Sequence, residues 1–464
     1  MNAKLDQRFL HNGMPDEAAL AGFKSLVRGT LLTPESPDYN AVRTIWNAMI
    51  DRKPAIIVRC AGAADVMKAV TFAREHSMLI SVRGGGHSAA GSSLCDGGLM
   101  IDLSLMRGLR VDPVSRTARA EPGVLWKEFD HETSSFGLVT TGGTVSTTGV
   151  GGLTLGGGLG WQMSRLGLTC DNLLSADIVT ADGLLLTASE ASHPELFWAV
   201  RGGGGNFGIV VSFEYQVHPI HENVLAGMIL YPMDQARDVL RFYRESCKTA
   251  GDDLAMAVGL LTLPDGMDVI AVIAAWLGAP EVGEEKLASL RAFGSPIADL
   301  IAPQPYCQFQ QIFDAAVPSG MRRYWKSGYV PDFSDDFIDE ILRHAALKPS
   351  PYTAVLIFHL HGAATRVAGD ATAFGARTMQ WDFDIIPQWL DASEDVRHLT
   401  WARTFWAGVE PYTSGVYVNH LGTDDGASRV KAAFGQNFAR LVQIKSKYDP
   451  DNVFRLGNNI PVAE

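Results

Sequence analysis

PAIIVRCAGAADVMKAVTFAREHSMLISVRGGGHSAAGSS, residues 54–93, switches its hydrophobic period twice before it runs into glycine. Residues 55–60 (AIIVRC) form a short apolar run rich in β-branched side chains. Residues 63–77 (AADVMKAVTFAREHS) carry apolar positions at helical spacing, and residues 79–82 (LISV) return to a β-rich run. That order predicts strand, helix, strand. Beyond it lie RGGGHSAAGSS (83–93), a further strand candidate in GLMIDLS (98–104), and shorter ones at 109–111 and 117–120.

Glycine stays concentrated through this half of the chain. A second cluster, GVGGLTLGGGLGW (149–161), precedes LLSADIVTADGLLLTA (173–188), where Asp182-Gly183 between two apolar runs signals a hairpin. A third, RGGGGNFG (201–208), leads into the strand candidate IVVSFEYQV (209–217). After about Pro219 the clusters stop, and helical patterns such as DQARDVLRFYRESCKT (234–249) alternate with strands such as MDVIAVIAAWLG (267–278) and PYTAVLIFHLHG (351–362). The expected organisation is therefore α+β with two domains. Residues 1–219 begin the first, residues 220–415 make the second, and residues 416–464 return to the first. Asp449-Pro450 in KYDPDNVFRLGNNIP (447–461) predicts an ordered loop near the end.

Composition excludes several classes. The net charge of −12 comes from 51 acidic and 39 basic residues spread along the chain, so no basic stripe offers itself to nucleic acid. The five cysteines, Cys60, Cys95, Cys170, Cys247 and Cys307, are odd in number and never in a CxxC pair, which argues against a disulfide framework or a zinc site. Charges and Pro15 interrupt the first twenty residues where a signal peptide needs an apolar core, and no stretch is long enough to span a bilayer. A cytoplasmic protein without membrane or metal partners is expected.

Backbone without Cβ atoms can turn several N–H groups toward one point and so bind phosphate oxygens without a basic side chain. None of the clusters matches the Walker pattern, and GLTLGGGLG lacks the spacing and strand context of a Rossmann fingerprint, which disfavours a nicotinamide enzyme. The combination of strand, helix, strand, RGGGHS and GGLMIDLS resembles the FAD-binding domain of the vanillyl-alcohol oxidase and p-cresol methylhydroxylase (PCMH-type) superfamily. It is most similar to the berberine bridge enzyme branch, especially to bacterial members of the 6-hydroxy-D-nicotine oxidase type. LTLGGGLGW, DNLLSADIVTADG, ELFWAVRGGGGNFGIV, YWKSGY, GVYVNHL and YDPDNVFRLGNNIP look like that family's motifs in its order, over nearly the whole chain.

The resemblance implies a PCMH-type FAD domain beside an antiparallel sheet backed by helices. It places Arg83, Gly84, Gly85, Gly86, His87 and Ser88 around the FAD pyrophosphate, with His87 bonded to the flavin 8α-methyl. Thr147, Thr148, Gly149, Gly152, Leu153, Gly157, Gly158, Gly208 and Ile209 are its further cofactor contacts. Relatives with a second flavin bond use a cysteine in a CPTVGVGGH-like segment, and gap-free alignment on VSTTGVGGL puts Val145 there, so attachment through His87 alone is expected. The substrate side is then less open, which favours small aromatic or heterocyclic molecules.

Tyr417 and Asn419 in GVYVNH resemble the family's YxN pair. On an extended strand both side chains would share a face, Tyr417 as base or orienting group and Asn419 as flavin contact. His359 and His361, also two apart, would share a face that could look into the substrate cavity, where they are candidate catalytic residues that polarise or hydrogen-bond the substrate or serve as the base in place of Tyr417; with no third ligand beside them a metal pair is disfavoured. Either histidine, or Lys326 in YWKSGY, could acidify Tyr417. Trp401, Phe405 and Trp406 lie at helical spacing and read as core. The expected reaction is hydride removal from a carbon bearing a hydroxyl or amine, with O₂ as acceptor and hydrogen peroxide as product. The alternatives are a dehydrogenase with another acceptor, since oxygen reactivity depends on pocket residues such as Thr148, or a flavin-binding protein with little turnover.

Overall fold

The computed structural model describes residues 15–422 and 424–463; the first fourteen residues, which open the expected first domain, lie outside the described residues. The decisive stretch folds as its periodicity predicts. Strands β2 (Ile56–Arg59) and β3 (Ile80–Arg83) both pair in parallel with β4 (Leu99–Asp102), and β1 (Thr30–Leu32) closes the sheet in the order β1-β2-β4-β3. Between β2 and β3 runs helix α1 (Ala63–Glu75), which buries Val66, Ala69, Val70 and Ala73, one stripe at i, i+3, i+4 and i+7. With a helix on the parallel strands, β4 is buried at every position.

A second, antiparallel sheet holds β5 (Leu109–Asp112), β6 (Thr117–Ala120), β7 (Leu173–Val179), β8 (Leu185–Ser189) and β9 (Ile209–Gln216) in the order β5-β6-β9-β7-β8. Asp182-Gly183 sits in the β7–β8 hairpin, where Gly183 has φ +78°.

The chain then builds an eight-stranded antiparallel sheet. It contains β10 (Val224–Pro232), β11 (Leu254–Thr262), β12 (Asp268–Trp276), β13 (Lys326–Val330), β14 (Ala354–Leu360) and β15 (Gln380–Ile386), ordered β10-β12-β11-β14-β15-β13. Two short strands, Ala298–Asp299 and Ala302–Gln304, edge β10. The strand period divides its side chains. Val258, Ile270, Val272, Val355 and Ile357 pack with helices α2 (Ala236–Lys248), α3 (Asp335–Ala345) and α4 (Asp395–Val409), whereas Ala257, Ala271, Ile273, Leu356 and Phe358 face the glycine-rich half. Phe405 and Trp406 are buried in the helical layer and Trp401 packs against it, as their spacing predicts.

The last segment crosses back. Val416, Val418, Leu421, Leu441, Ile444 and Ile460 share one core with β6, β7 and β9, and helix α5 (Phe438–Tyr448) packs on the helix Pro194–Val200. GVYVNH differs from its expected strand: Tyr417 is extended, but Val418–His420 form a 3₁₀ turn. Its aromatic β-propensity is overridden because the tyrosine hydroxyl is drawn to the backbone of Gly158 and Leu159 instead of a neighbouring strand. All five cysteines are free, and Cys170 is fully buried among apolar groups.

Candidate active site

Between the glycine loops and the eight-stranded sheet lies a cavity of about 390 Å³. Its floor comes from the turn after β3 and from the loops at 143–160 and 204–213. Its roof is Trp325, Phe358 and Asp382, and one end is closed by 417–421 and 454–458. The first two loops cross backbone to backbone. A Cβ on Gly85 would lie 2.6 Å from Gly149 Cα, and one on Gly149 would lie 2.8 Å from Gly85 Cα, so only glycine permits this approach. A Cβ at Gly152 or Gly205 would meet nothing within 4 Å; both border open space.

Gly84, Gly85, Gly86, His87 and Ser88 line the cavity, and among the described residues their backbone N–H groups donate to no protein acceptor. A row of unpaired donors beside open glycine-lined space fits an anionic pyrophosphate. Thr148, Gly149, Gly152, Leu153, Gly208, Ile209, Tyr417, Asn419 and Val145 also line it. Arg83, Thr147, Gly157 and Gly158 stand behind the wall. The Arg83 guanidinium braces the floor by donating to both Asp102 oxygens (3.0 and 3.1 Å) and to the Val42 carbonyl. Gly158, at φ +89°, directs its N–H to Tyr417 Oη.

His87 is wedged against Trp46, ring centroids 4.0 Å apart, with Thr147 Oγ1 3.3 Å from its Nε2. Burial, helped by the nearby Arg323 charge, pushes its pKa down to about 3, so the imidazole is neutral. Tyr417 Oη accepts from Gly158 N (2.9 Å), Leu159 N (3.4 Å) and Asn419 Nδ2 (2.7 Å). Burial raises its pKa further than these donors lower it, so it remains a phenol at neutral pH.

The cations and histidines expected beside Tyr417 lie elsewhere. Lys326 is paired with Asp424 and Asp425 at 2.9 and 2.8 Å. His359 and His361 do not line the main cavity. The strand period turns Phe358 toward it and His359 toward the helical layer, where it stacks on His361 (4.0 Å) and Trp381 (5.8 Å) beside a separate void of about 10 Å³. Burial, with His361 adding to it, pushes the His359 pKa down to about 3, and neither ring nitrogen finds a partner among the described residues.

Three groups that the sequence reading passed over stand at the roof. Asp382 and Asp384, two apart on β15, share the cavity-side face of a fully buried strand. His420 Nδ1 lies 2.9 Å from Asp384 Oδ1 and 3.5 Å from Asp382 Oδ2, and the three ligand-type atoms fall within 4.8 Å of one another. Trp325 Nε1 donates to Asp384 Oδ1 (2.8 Å), and Ser327 Oγ donates to Asp382 Oδ1 (3.3 Å). Asp382 Oδ2 has no hydrogen-bond partner among the described residues. Burial, and then the like charge of Asp384, hold the Asp382 carboxyl well above the usual carboxylate range. Burial works against the charged form of His420, but Asp384 and Asp382 outweigh it and raise its pKa. The signal for this trio was the polar-in-apolar alternation WDFDI at 381–385 and the histidine following Asn419.

The chain resembles known proteins over nearly its whole length. Residues 54–189 match the FAD binding domain family, and residues 416–461 match the family described as berberine and berberine like. An FAD-linked oxidoreductase of Dictyostelium discoideum is 32% identical over 444 residues, covering 94% of this chain and 96% of its own. The (R)-6-hydroxynicotine oxidase of Paenarthrobacter nicotinovorans is 29% identical, covering 94% and 97%. The crystal structure of 6-hydroxy-D-nicotine oxidase from Arthrobacter nicotinovorans superposes with a TM-score of 0.85 at 28% identity, covering 94% of this chain and 98% of that one. No described helix is long and apolar enough to cross a membrane. Glycine loops with unpaired donors, a roof of buried carboxylates beside a histidine, and near full-length relatives lead to one assignment: the chain belongs to the berberine bridge enzyme-like FAD-linked oxidoreductases.

Proposed function

We propose that this enzyme is an oxidase that removes a hydride from a carbon bearing a hydroxyl or amine in a small aromatic or heterocyclic molecule, and that Asp382 takes the accompanying proton. Bound FAD supplies the two-electron acceptor, which O₂ restores with release of hydrogen peroxide. The observation that carries the reading is Asp382 Oδ2: a buried carboxylate oxygen that accepts no hydrogen bond among the described residues and has the His420 ring 3.5 Å away, on the roof of a cavity whose floor fits the cofactor. When the substrate C–H bond breaks, the hydroxyl or ammonium proton must leave, and Asp382 offers an acceptor of raised proton affinity. His420, held between the two carboxylates, balances their charge. Tyr417, a phenol, orients rather than abstracts.

We further assign residues 1–219 with 416–464 to the flavin-binding part and residues 220–415 to the substrate-binding part. FAD is attached through His87 alone, because Val145 offers no thiol where a second link would form. The aromatic roof of Trp325 and Phe358 and the relative named for 6-hydroxynicotine favour a flat heterocyclic substrate. Anaerobic mixing of the yellow enzyme with a panel of alcohols and amines that includes (R)-6-hydroxynicotine tests the reading. A substrate bleaches the flavin, and air restores the colour within seconds with one peroxide per turnover. Bleaching that air reverses only slowly, while a quinone or dye reverses it at once, overturns the oxidase assignment in favour of a dehydrogenase.

A further inference from the structure

Trp46 and Arg323 take no part in the proposed reaction, yet Trp46 is packed against His87 and Arg323 against Trp46. The Trp46 indole stacks on the imidazole, centroids 4.0 Å apart and planes 20° from parallel. The Arg323 guanidinium lies over the same indole, 3.7 Å from its centroid. Arg323 is only 1% exposed, and among the described residues no carboxylate approaches it. Its nitrogens donate instead to neutral groups: Gln388 Oε1 at 2.7 Å, the Trp46 and Met321 carbonyls at 3.0 and 3.3 Å, and the Pro318 carbonyl. Asn47 ties the arrangement together, its Nδ2 donating to the carbonyls of Arg323 (2.9 Å) and Ala89 (2.7 Å) and its Oδ1 accepting from Arg323 N (2.9 Å). Ala89 is two residues past His87, so one side chain joins the tryptophan segment, the Arg322–Arg323 strand and the histidine turn.

We propose that Trp46 and Arg323 are positioning residues for flavin attachment, forming the seat that presents the His87 ring to the flavin methyl carbon. The inference rests on the covalent reading of His87. Arg323 reaches the seat from the stretch 220–415, so attachment requires both parts of the chain to be in place.

The chemistry asks for such a seat. Attachment breaks one C–H bond of the methyl group and one imidazole N–H bond and forms an N–C bond. Two protons and two electrons leave, and O₂, the acceptor of the proposed reaction, takes them as hydrogen peroxide. A nitrogen lone pair lies in the plane of its ring, so the ring plane must be held toward the carbon, which stacking on Trp46 does. The ring must also be uncharged for that lone pair to be free, and burial with the Arg323 charge keeps it so. Burial lowers Arg323 itself only to about 10, leaving it a cation at neutral pH. An unpaired guanidinium is costly to bury, and bracing alone would be served by a neutral side chain.

The test compares wild type with Arg323→Met, Trp46→Phe and the double variant. It measures flavin bound per chain in the native protein and the fraction that stays on the polypeptide after acid precipitation. The expected result is stoichiometric FAD throughout and an acid-stable fraction at least tenfold lower in Arg323→Met. Trp46→Phe, which keeps a flat ring, should fall between, and the double variant should be no worse than Arg323→Met. An acid-stable fraction equal to wild type in both single variants overturns the proposal. So does a parallel loss of bound FAD, attachment and melting temperature, the mark of a merely structural role. Wild-type protein that itself releases all its flavin into acid would instead overturn the covalent reading of His87, and the two failures are told apart by that control.

Discussion

Lys445, near the end of α5, has a fully buried ammonium that donates to Asp449 Oδ2 (2.6 Å) and to the carbonyls of Asn206 and Phe454 (both 2.8 Å). Asp449, equally buried, also accepts from Val453 N (2.7 Å) and Phe454 N (2.8 Å). Lys445→Met keeps the stem but removes the carboxylate's hydrogen-bonded ion-pair partner and leaves two carbonyls without a donor. Removing one partner of a buried pair costs about 3–5 kcal/mol. Unfolding entropy of about 2 cal/mol/K per residue gives about 1 kcal/mol/K over 464 residues, so the midpoint should fall by about 3–5 °C. Because Asn206 and Phe454 both line the cavity, flavin release should begin below the global transition. Calorimetry with parallel detection of released flavin fluorescence reads both effects. Lys248→Met serves as the control: its pair with Glu245 is 54% exposed on each side, so no resolved shift is expected. Lys445→Met combined with Asp449→Leu should regain much of the loss, since the stranded charge is gone. A single variant within 1 °C of wild type, or a double variant no better than the single, would show that the pair does not hold the last segment in place.

Asp382→Asn should slow anaerobic flavin reduction by about a hundred-fold to ten-thousand-fold, the usual worth of a general base, while leaving FAD bound. In the wild type the base works only when unprotonated and its pKa is raised, so reduction should speed up as pH rises through that value; Asp384→Asn, by removing the like charge, should move the limb to lower pH. A flat stopped-flow profile in both proteins removes the carboxylates from the chemistry. Tyr417→Phe deletes the acceptor for the Gly158 and Leu159 N–H groups but not the base, so a loss of about tenfold or less is expected with the limb unmoved. A loss of a hundred-fold or more would return the proton transfer to the tyrosine. His87→Ala should still bind FAD in the glycine cradle yet release all of it on denaturation, and flavin found on any peptide of that variant would contradict single attachment.

The floor of the site was legible because glycine is. The glycines of RGGGHS and GVGG have no side chains to hide behind, and the switch from period 2 to period 3.6 and back located the unit that carries the first of them. The roof was harder to read. A strand shows which residues share a face but not which face is inward, so in LIFHLHG the histidines drew attention while Phe358, just before them, meets the cavity. In WDFDI the same alternation concealed two buried acids whose partner, His420, arrives from another part of the chain. Tyr417 was found but not its conformation, because the contact that bends GVYVNH lies some 260 residues upstream in sequence.

The cavity wall is collected from the whole length of the chain: the turn at Gly84, the loop at Gly149, the roof at Asp382 and the end at Asn458. The glycine floor and the segment that closes one end of it are thus far apart in sequence. Without residues 417–421 and 454–458 a bound flavin would be held by the floor and roof alone, with one end of the cavity open. Retention of the flavin is therefore expected to depend on the docking of residues 416–461, and a cut within that segment should loosen the cofactor while leaving the glycine floor intact.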